Sequence, residues 1–194
     1  MSDDVTAVVL VGGRSTRMGR DKALLVPDPT DGRTLTQLVL AALAAVASRS
    51  LLAGRSLPGL DVPAVPDQYS GAGPLAGIAA ALGAVDTPLA MVSACDMPAI
   101  RPTLLHLLLD AARAHPEAPV VLCRSDAGLE PLLSAWRPAL ALPDLRSALD
   151  AGVRSLREAI ALLPRHLVLD PGSWRPADPE GVSFHNWNTP EDVP

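Results

Sequence analysis

Short apolar runs alternate along this chain with segments whose apolar residues recur every three or four positions, and glycine and proline mark the joints. Residues 5–11 are valine-rich and apolar except for Thr6, the pattern of a central parallel strand covered on both faces. Residues 24–26 predict a brief extension before the loop Pro27–Gly32. Thr34 reads as the N-cap of a helix from Leu35 to about Ala47, with Leu35, Leu38, Val39, Ala42, Leu43 and Val46 on one face. Leu51-Leu52 and Val62–Val65 are weakly marked strands. Residues 67–74 are turn material, and Leu75–Leu82 is a short helix with Pro74 at or just before its first turn. Leu89–Ala94 is a buried strand with Asp96 just past its end. A leucine-rich helix covers about 102–114, and Val120–Cys123 is another strand. Pro143–Leu149 and Ser155–Leu163 are helical, with Pro143 assigned to a first turn. Leu167–Leu169 is a late strand, and 171–181 is a loop. The alternation predicts an α/β protein: an open, mostly parallel sheet with helices on both faces, binding ligands beyond the carboxyl ends of its strands.

Composition narrows the class. With 194 residues, the chain suits a single domain and can bury roughly 70% of its unfolded surface. Three Trp, one Tyr and one Phe are its whole aromatic set, so the core must be built from Leu, Val and Ala. The net charge of −5 disfavours nucleic acid or an anionic membrane as partner, but says nothing against a small polyphosphate held by local charge. Residues 68–85 carry no charge, yet their four glycines and one proline exclude a membrane span. The start, Met1-Ser2-Asp3-Asp4, lacks the basic and apolar regions of a signal peptide. Cys95 and Cys123 then read as reduced thiols, and a cytoplasmic location follows. The four histidines show no metal-ligand spacing.

The candidate chemistry begins where the first strand ends. Gly12-Gly13 opens a polar loop carrying Arg14, Arg17, Gly19, Arg20 and Lys22, with Asp21 its one acid. It is neither the dinucleotide fingerprint nor a Walker A loop. Its physics is similar. Glycines let backbone N–H groups turn inward, Arg17 can grip two phosphate oxygens, and Lys22 can set a point charge on a third. A solvated surface turn is the plain alternative. Met18 reads as packing. Asp96, past its strand, is placed to hold a hard divalent ion bridging phosphates, or else to cap the next helix. Cys95 and Ser93 are discounted as nucleophiles because no histidine base is near in sequence. Asp67 suits an Asx turn as well as a ligand contact. Asn186 and Asn188 flank Trp187 at a period of two, so in extended chain their amides share a side; Asn188 or Thr189 can also cap a last helix from Pro190.

The run from Leu10 through Gly12, Gly13, Arg17 and Gly19 to Lys22 resembles the signature of the molybdenum cofactor guanylyltransferases, MobA-like members of a broad nucleotidyltransferase superfamily. The resemblance continues in Gly73-Pro74-Leu75-Ala76-Gly77-Ile78, in Cys95-Asp96-Met97-Pro98, and in Asn186–Asp192. These blocks keep family order and near family spacing, so the resemblance covers essentially the whole chain. Val11 stands where the family usually has alanine. An asparagine usual after the second strand is missing, and Ala53-Gly54-Arg55 lies there instead.

The resemblance implies a Rossmann-like sheet of the nucleotide-diphospho-sugar transferase kind. It implies one nucleotidyltransferase domain over 1–194, with a small acceptor-side lobe within 124–165. It implies transfer of GMP from GTP to molybdopterin, giving molybdopterin guanine dinucleotide and pyrophosphate. Arg17, Lys22 and Asp96 are the implied catalytic residues. Leu10, Val11, Gly12, Gly13, Lys22, Asp67, Gly77, Asp96 and Asn188 are implied at the nucleotide, with Mg²⁺ on Asp96. Arg124, Arg137 and Arg154 are candidates to meet the anionic acceptor. A monomer is expected, in passing contact with molybdoenzymes or their chaperones. The alternatives are a cytidylyltransferase acting on the same pterin, a sugar-1-phosphate nucleotidyltransferase, and, in a different class, a silent nucleotide-binding or cofactor-delivery protein.

Overall fold

The computed structural model describes residues 2–12, 21–69 and 71–187. Its centre is a seven-stranded sheet. The strands are β1 (Ser2–Leu10), β2 (Ala47–Ala53), β3 (Ala64–Val65), β4 (Leu89–Ala94), β5 (Val120–Ser125), β6 (Gly128–Trp136) and β7 (Leu167–Leu169), in the spatial order 3-2-1-4-6-5-7. All pairings are parallel except those of β6, which runs antiparallel between β4 and β5. The valine-rich first strand lies next to the middle, between β2 and β4, as its two-faced apolarity requires.

Helices cover both faces. The helices are α1 (Leu35–Leu43), α2 (Gly73–Leu82), α3 (Pro102–Ala114), α4 (Pro138–Asp150), α5 (Leu156–Leu162) and the single turn α6 (Pro171–Trp174). Val5, Ala7 and Val9 of β1 pack with α1, α3 and α6 on one face. Val8 and Leu10 pack with α2, α4 and α5 on the other. This is the period-two alternation of a strand with a core on each side.

Several elements differ from expectation. Residues 24–26 are not an extension: Lys22–Leu24 form a 3-10 turn. Helix α1 stops at Leu43, short of the expected Ala47, where β2 begins, although its N-cap at Thr34 is as predicted and closes a capping box with Gln37. Strand β6 is absent from the sequence expectation. It returns from β5 through Asp126-Ala127 and is interrupted by Pro131, which disguises its period. The register jumps there: Leu122 faces Ser134 while Cys123 faces Glu130, so Pro131–Leu133 bulge out of that pairing. Pro143 lies inside α4, not in a first turn. Pro143 and Ala139, whose carbonyl the proline leaves without a donor, are both exposed, so water can satisfy what the ring cannot. The loop expected over 171–181 begins with α6.

Candidate active site

The carboxyl ends of β1 and β4 lie side by side. Leu10 pairs with Ala94, and the Cys95 N–H donates to the Leu10 carbonyl at 3.2 Å. Val11 and Gly12 follow the end of β1, and Asp21 precedes the 3-10 turn. Asp21 caps the 3-10 turn by accepting the Ala23 N–H on Oδ1 at 3.2 Å. The fully buried Thr36 of α1 donates its hydroxyl to the Ala23 carbonyl at 2.8 Å, and the Leu35 N–H donates to the Leu25 carbonyl at 2.8 Å. The turn bearing Lys22 is therefore fixed to the start of α1.

From there Lys22 Nζ lies 3.5 Å from Asp96 Oδ2, with the two side chains 27% and 19% exposed. Partial burial makes this pair worth more than a solvated one. Asp96 does not cap the next helix, since the N-cap of α3 is Arg101. The Asp96 carbonyl accepts the Trp187 N–H at 2.7 Å, which brings the C-terminal segment to the same corner. These groups line a cavity of about 230 Å³ whose walls include Leu10, Val11, Gly12, Asp21, Lys22 and Asp96.

Asp67 joins the site from behind. A Cβ on Gly12 would come within 3.5 Å of Asp67 Oδ2, and one on Gly77 within 3.3 Å of its Oδ1, so the carboxylate sits between β1 and α2 where both glycines leave room. Desolvation there raises its pKa above the ordinary 3.8. Burial, followed by the nearby Asp96 and Asp21 carboxylates, pushes the Cys95 thiol up to about 12. A thiol held protonated at neutral pH is no nucleophile, in agreement with the sequence expectation.

Of the expected site residues, the fold brings together Leu10, Val11, Gly12, Lys22, Asp67, Gly77 and Asp96. Gly13, Arg17 and Asn188 lie outside the described residues, as do Arg14 and Arg20. One acceptor candidate is elsewhere. Arg137 follows the end of the antiparallel β6, beyond the amino end of β4, and donates to the Ala112 carbonyl at 2.8 Å. Arg154 closes the end of α4 through the Leu149 carbonyl at 2.9 Å, beside Asp150, which accepts the Tyr69 hydroxyl at 2.9 Å on the site's side of the sheet. Arg124 is on the correct sheet edge, 3.7 Å from Asp170.

Sequence reading missed the β6 bulge that brings Leu132 to the cavity wall, and the ion pair between Asp21 and Arg55. The Ser-Asp-Ala-Gly turn at 125–128 was the available hairpin signal for the first; no local signal marks the second. A second cavity, of about 240 Å³, opens on the same sheet edge between the β5–β6 turn and the segment 174–185. Ser125, Asp126, Glu130, Arg175, Glu180 and His185 are among its walls. His185 is two residues from Trp187, so this wall lies within about 7 Å of chain of the Asp96 corner.

Among the described residues no cluster of three metal-ligating side chains occurs, and no helix is long and apolar enough to cross a membrane. Mg²⁺ nonetheless fits the donor set: it commonly takes one or two carboxylates and completes its shell with water and substrate phosphates. Asp96, partly buried and facing the cavity, offers such a carboxylate.

Comparison with known proteins supplies the family. Residues 7–166 match the MobA-like NTP transferase domain family. A probable molybdenum cofactor guanylyltransferase of Chloroflexus aggregans is 34% identical over 97% of this chain and 91% of its own length. A molybdenum cofactor guanylyltransferase of Rhizobium johnstonii is 34% identical over 97% and 90%. The crystal structure of molybdopterin-guanine dinucleotide biosynthesis protein A from Archaeoglobus fulgidus superposes with a TM-score of 0.78 at 27% identity, covering 97% of this chain and 94% of that one. The fold alone is shared with 2-C-methyl-D-erythritol 4-phosphate cytidylyltransferase of Thermus thermophilus, at a TM-score of 0.66 and 18% identity over 96% and 94%. With its strand-tip cavity and these full-length relatives, the chain belongs to the molybdenum cofactor guanylyltransferases, a family of MobA-like nucleotidyltransferases.

Proposed function

We propose that this enzyme transfers GMP from GTP to the phosphate of molybdopterin, the pterin dithiolene that carries molybdenum. An oxygen of the acceptor phosphate forms a bond to the α-phosphorus of GTP, the bond from that phosphorus to the α,β-bridging oxygen breaks, and pyrophosphate leaves with the electron pair. The acceptor phosphate is already anionic near neutral pH, so no side-chain nucleophile is needed. The observation carrying the proposal is the cavity that joins Lys22, Asp96, Gly12 and the Asp67 neighbourhood at the ends of β1 and β4.

Lys22 stands where it can offset charge that grows on the transferring phosphoryl group. Gly12 leaves backbone open toward the triphosphate. Asp67 can accept from both the ring N–H and the exocyclic amine of guanine, whereas cytosine offers only an amine at the matching edge. Asp96 would hold Mg²⁺, which when bound screens the phosphate oxygens and orients them. By family resemblance we assign Arg17 to the catalytic phosphate contacts, and Gly13 and Asn188 to nucleotide binding. The acceptor side lies in the hairpin region within 124–165, where the second cavity adjoins the Asp96 corner, and the whole of 1–194 acts as one nucleotidyltransferase domain. A monomer in the cytoplasm, passing its product to molybdoenzymes or their chaperones, completes the proposal.

The test is purified protein with molybdopterin, Mg²⁺ and each of GTP, CTP, ATP and UTP, with products resolved by mass. The guanine dinucleotide should dominate. A cytosine dinucleotide would assign the chain to cytidylyl transfer, and no dinucleotide with any of the four would remove the catalytic reading.

A further inference from the structure

The tip of β2 grips both ends of the glycine-rich loop. At the first end, the Val11 N–H donates to the Ala53 carbonyl at 2.9 Å. Gly54, at φ +122°, lies so close that a Cβ there would meet Gly12 N at 3.0 Å. One residue further, the Arg55 guanidinium reaches Asp21, the first described residue after the loop. Residues 53–55 therefore hold 11–12 on one side and 21 on the other.

Asp21 is divided between two tasks. Its Oδ1 caps the turn that carries Lys22, and its Oδ2 takes Arg55. It also lines the cavity with Lys22 and Asp96. The lining of this cavity, read as receiving a nucleoside triphosphate, thus includes two carboxylates facing a ligand of several negative charges. Lys22 opposes Asp96 at 3.5 Å, and Arg55 opposes Asp21. Arg55 and Asp21 side chains are 44% and 35% exposed, so the pair adds little to folding. Its consequence falls on an anion entering the cavity.

We propose that Arg55 is a charge-compensating positioning residue of the nucleotide site. It cancels the field of Asp21 where the polyphosphate enters and ties the Lys22 turn to β2. The proposal rests on the reading of this cavity as a nucleoside triphosphate site. It implies that the benefit of Arg55 grows with ligand charge and shrinks with salt, because an uncompensated carboxylate repels each added phosphate and that repulsion is screened.

The experiment titrates wild type, Arg55→Ala, Arg55→Lys and Arg55→Ala/Asp21→Asn with guanosine, GMP, GDP and GTP in Mg²⁺ buffer, by calorimetry at low and high ionic strength. Thermal unfolding confirms that each variant is folded. Arg55→Ala is expected to weaken GTP roughly tenfold at low salt and guanosine less than about twofold, with GDP and GMP between. The loss should contract at high salt. Arg55→Lys should recover most of it by restoring the charge. Asp21→Asn should do so by removing the carboxylate, since asparagine caps almost as well as aspartate. Equal losses for guanosine and GTP, or no recovery in the double variant, would overturn the proposal and leave the triphosphate reading standing. A wild type that binds CTP in preference corrects the base only, and the same series in cytidine nucleotides then decides the role of Arg55. A wild type that binds no nucleoside triphosphate overturns both.

Discussion

Lys22 and Asp96 are held face to face by elements with other reasons to be there: a strand end, a capped turn and the buried hydroxyl of Thr36. Preorganisation of this kind lets a charge act on the transition state without rearrangement. Lys22→Ala should lower turnover by roughly 10²–10³, about 3–4 kcal/mol of barrier, while changing GTP affinity much less. Steady-state kinetics at saturating GTP check this, and unchanged turnover would remove Lys22 from the chemistry. Asp96→Asn should abolish Mg²⁺-dependent transfer in a folded protein, since an amide keeps the shape but not the charge a hard cation needs. Because Asp96 caps no helix, circular dichroism should not change, and the melting temperature should fall only by what the Lys22 ion pair contributes, about 1 kcal/mol.

At the scale of elements, one glycine and one aspartate show how packing sets the site. Gly77 is buried in mid-helix, where alanine would ordinarily favour α2 by about 1 kcal/mol. A Cβ there would press on Asp67 Oδ1 at 3.3 Å and Leu10 Cδ2 at 3.4 Å. Gly77→Ala should leave stability within about 1 kcal/mol of wild type, as the two effects oppose, yet weaken nucleotide binding. Urea midpoints and calorimetry separate the two readouts. Asp178 is fully buried; it accepts the Val182 and Ser183 N–H groups at 3.3 and 2.9 Å and pairs with Arg101 at 3.1 Å. It ties the chain leading to Trp187 onto the start of α3. Asp178→Ala orphans these two backbone donors and should cost roughly 2–5 kcal/mol in urea unfolding. A cost under about 1 kcal/mol would mean that this segment is anchored elsewhere.

The whole molecule is a three-layer sandwich whose middle layer buries Cys123 completely. Burial, with the Glu130 and Asp178 charges beyond it, raises this thiol from 9.0 to about 12. The folded state then keeps a proton that the unfolded chain releases above about pH 9. Stability from this group is full below about pH 9 and is lost as pH rises toward about 12. The urea midpoint should fall between about pH 8.5 and 10.5, and Cys123→Ala should flatten that slope while lowering the midpoint at neutral pH. Equal slopes in the two proteins would show that other groups govern alkaline unfolding.

The sequence alone determined most of the elements and the residue types that stand at the strand tips. β4, α3 and β7 lie where periodicity put them, Thr34 caps its helix, and Gly12 and Asp96 lie just past strand ends. Those signals are local: a strand's alternation, a cap's hydroxyl and a glycine's freedom act within a few residues of chain. Tertiary structure decided the rest. It inserted β6 antiparallel between β4 and β5, although its bulge at Pro131 breaks the alternation that would announce it. It kept Pro143 inside α4 by leaving that face wet, and it carried Arg137 to the edge opposite Asp96. It set Arg55 against Asp21 across 34 positions of chain, and Asp67 between Gly12 and Gly77. Such juxtapositions depend on strand order and on packing between distant segments, which the pattern within any one segment does not encode.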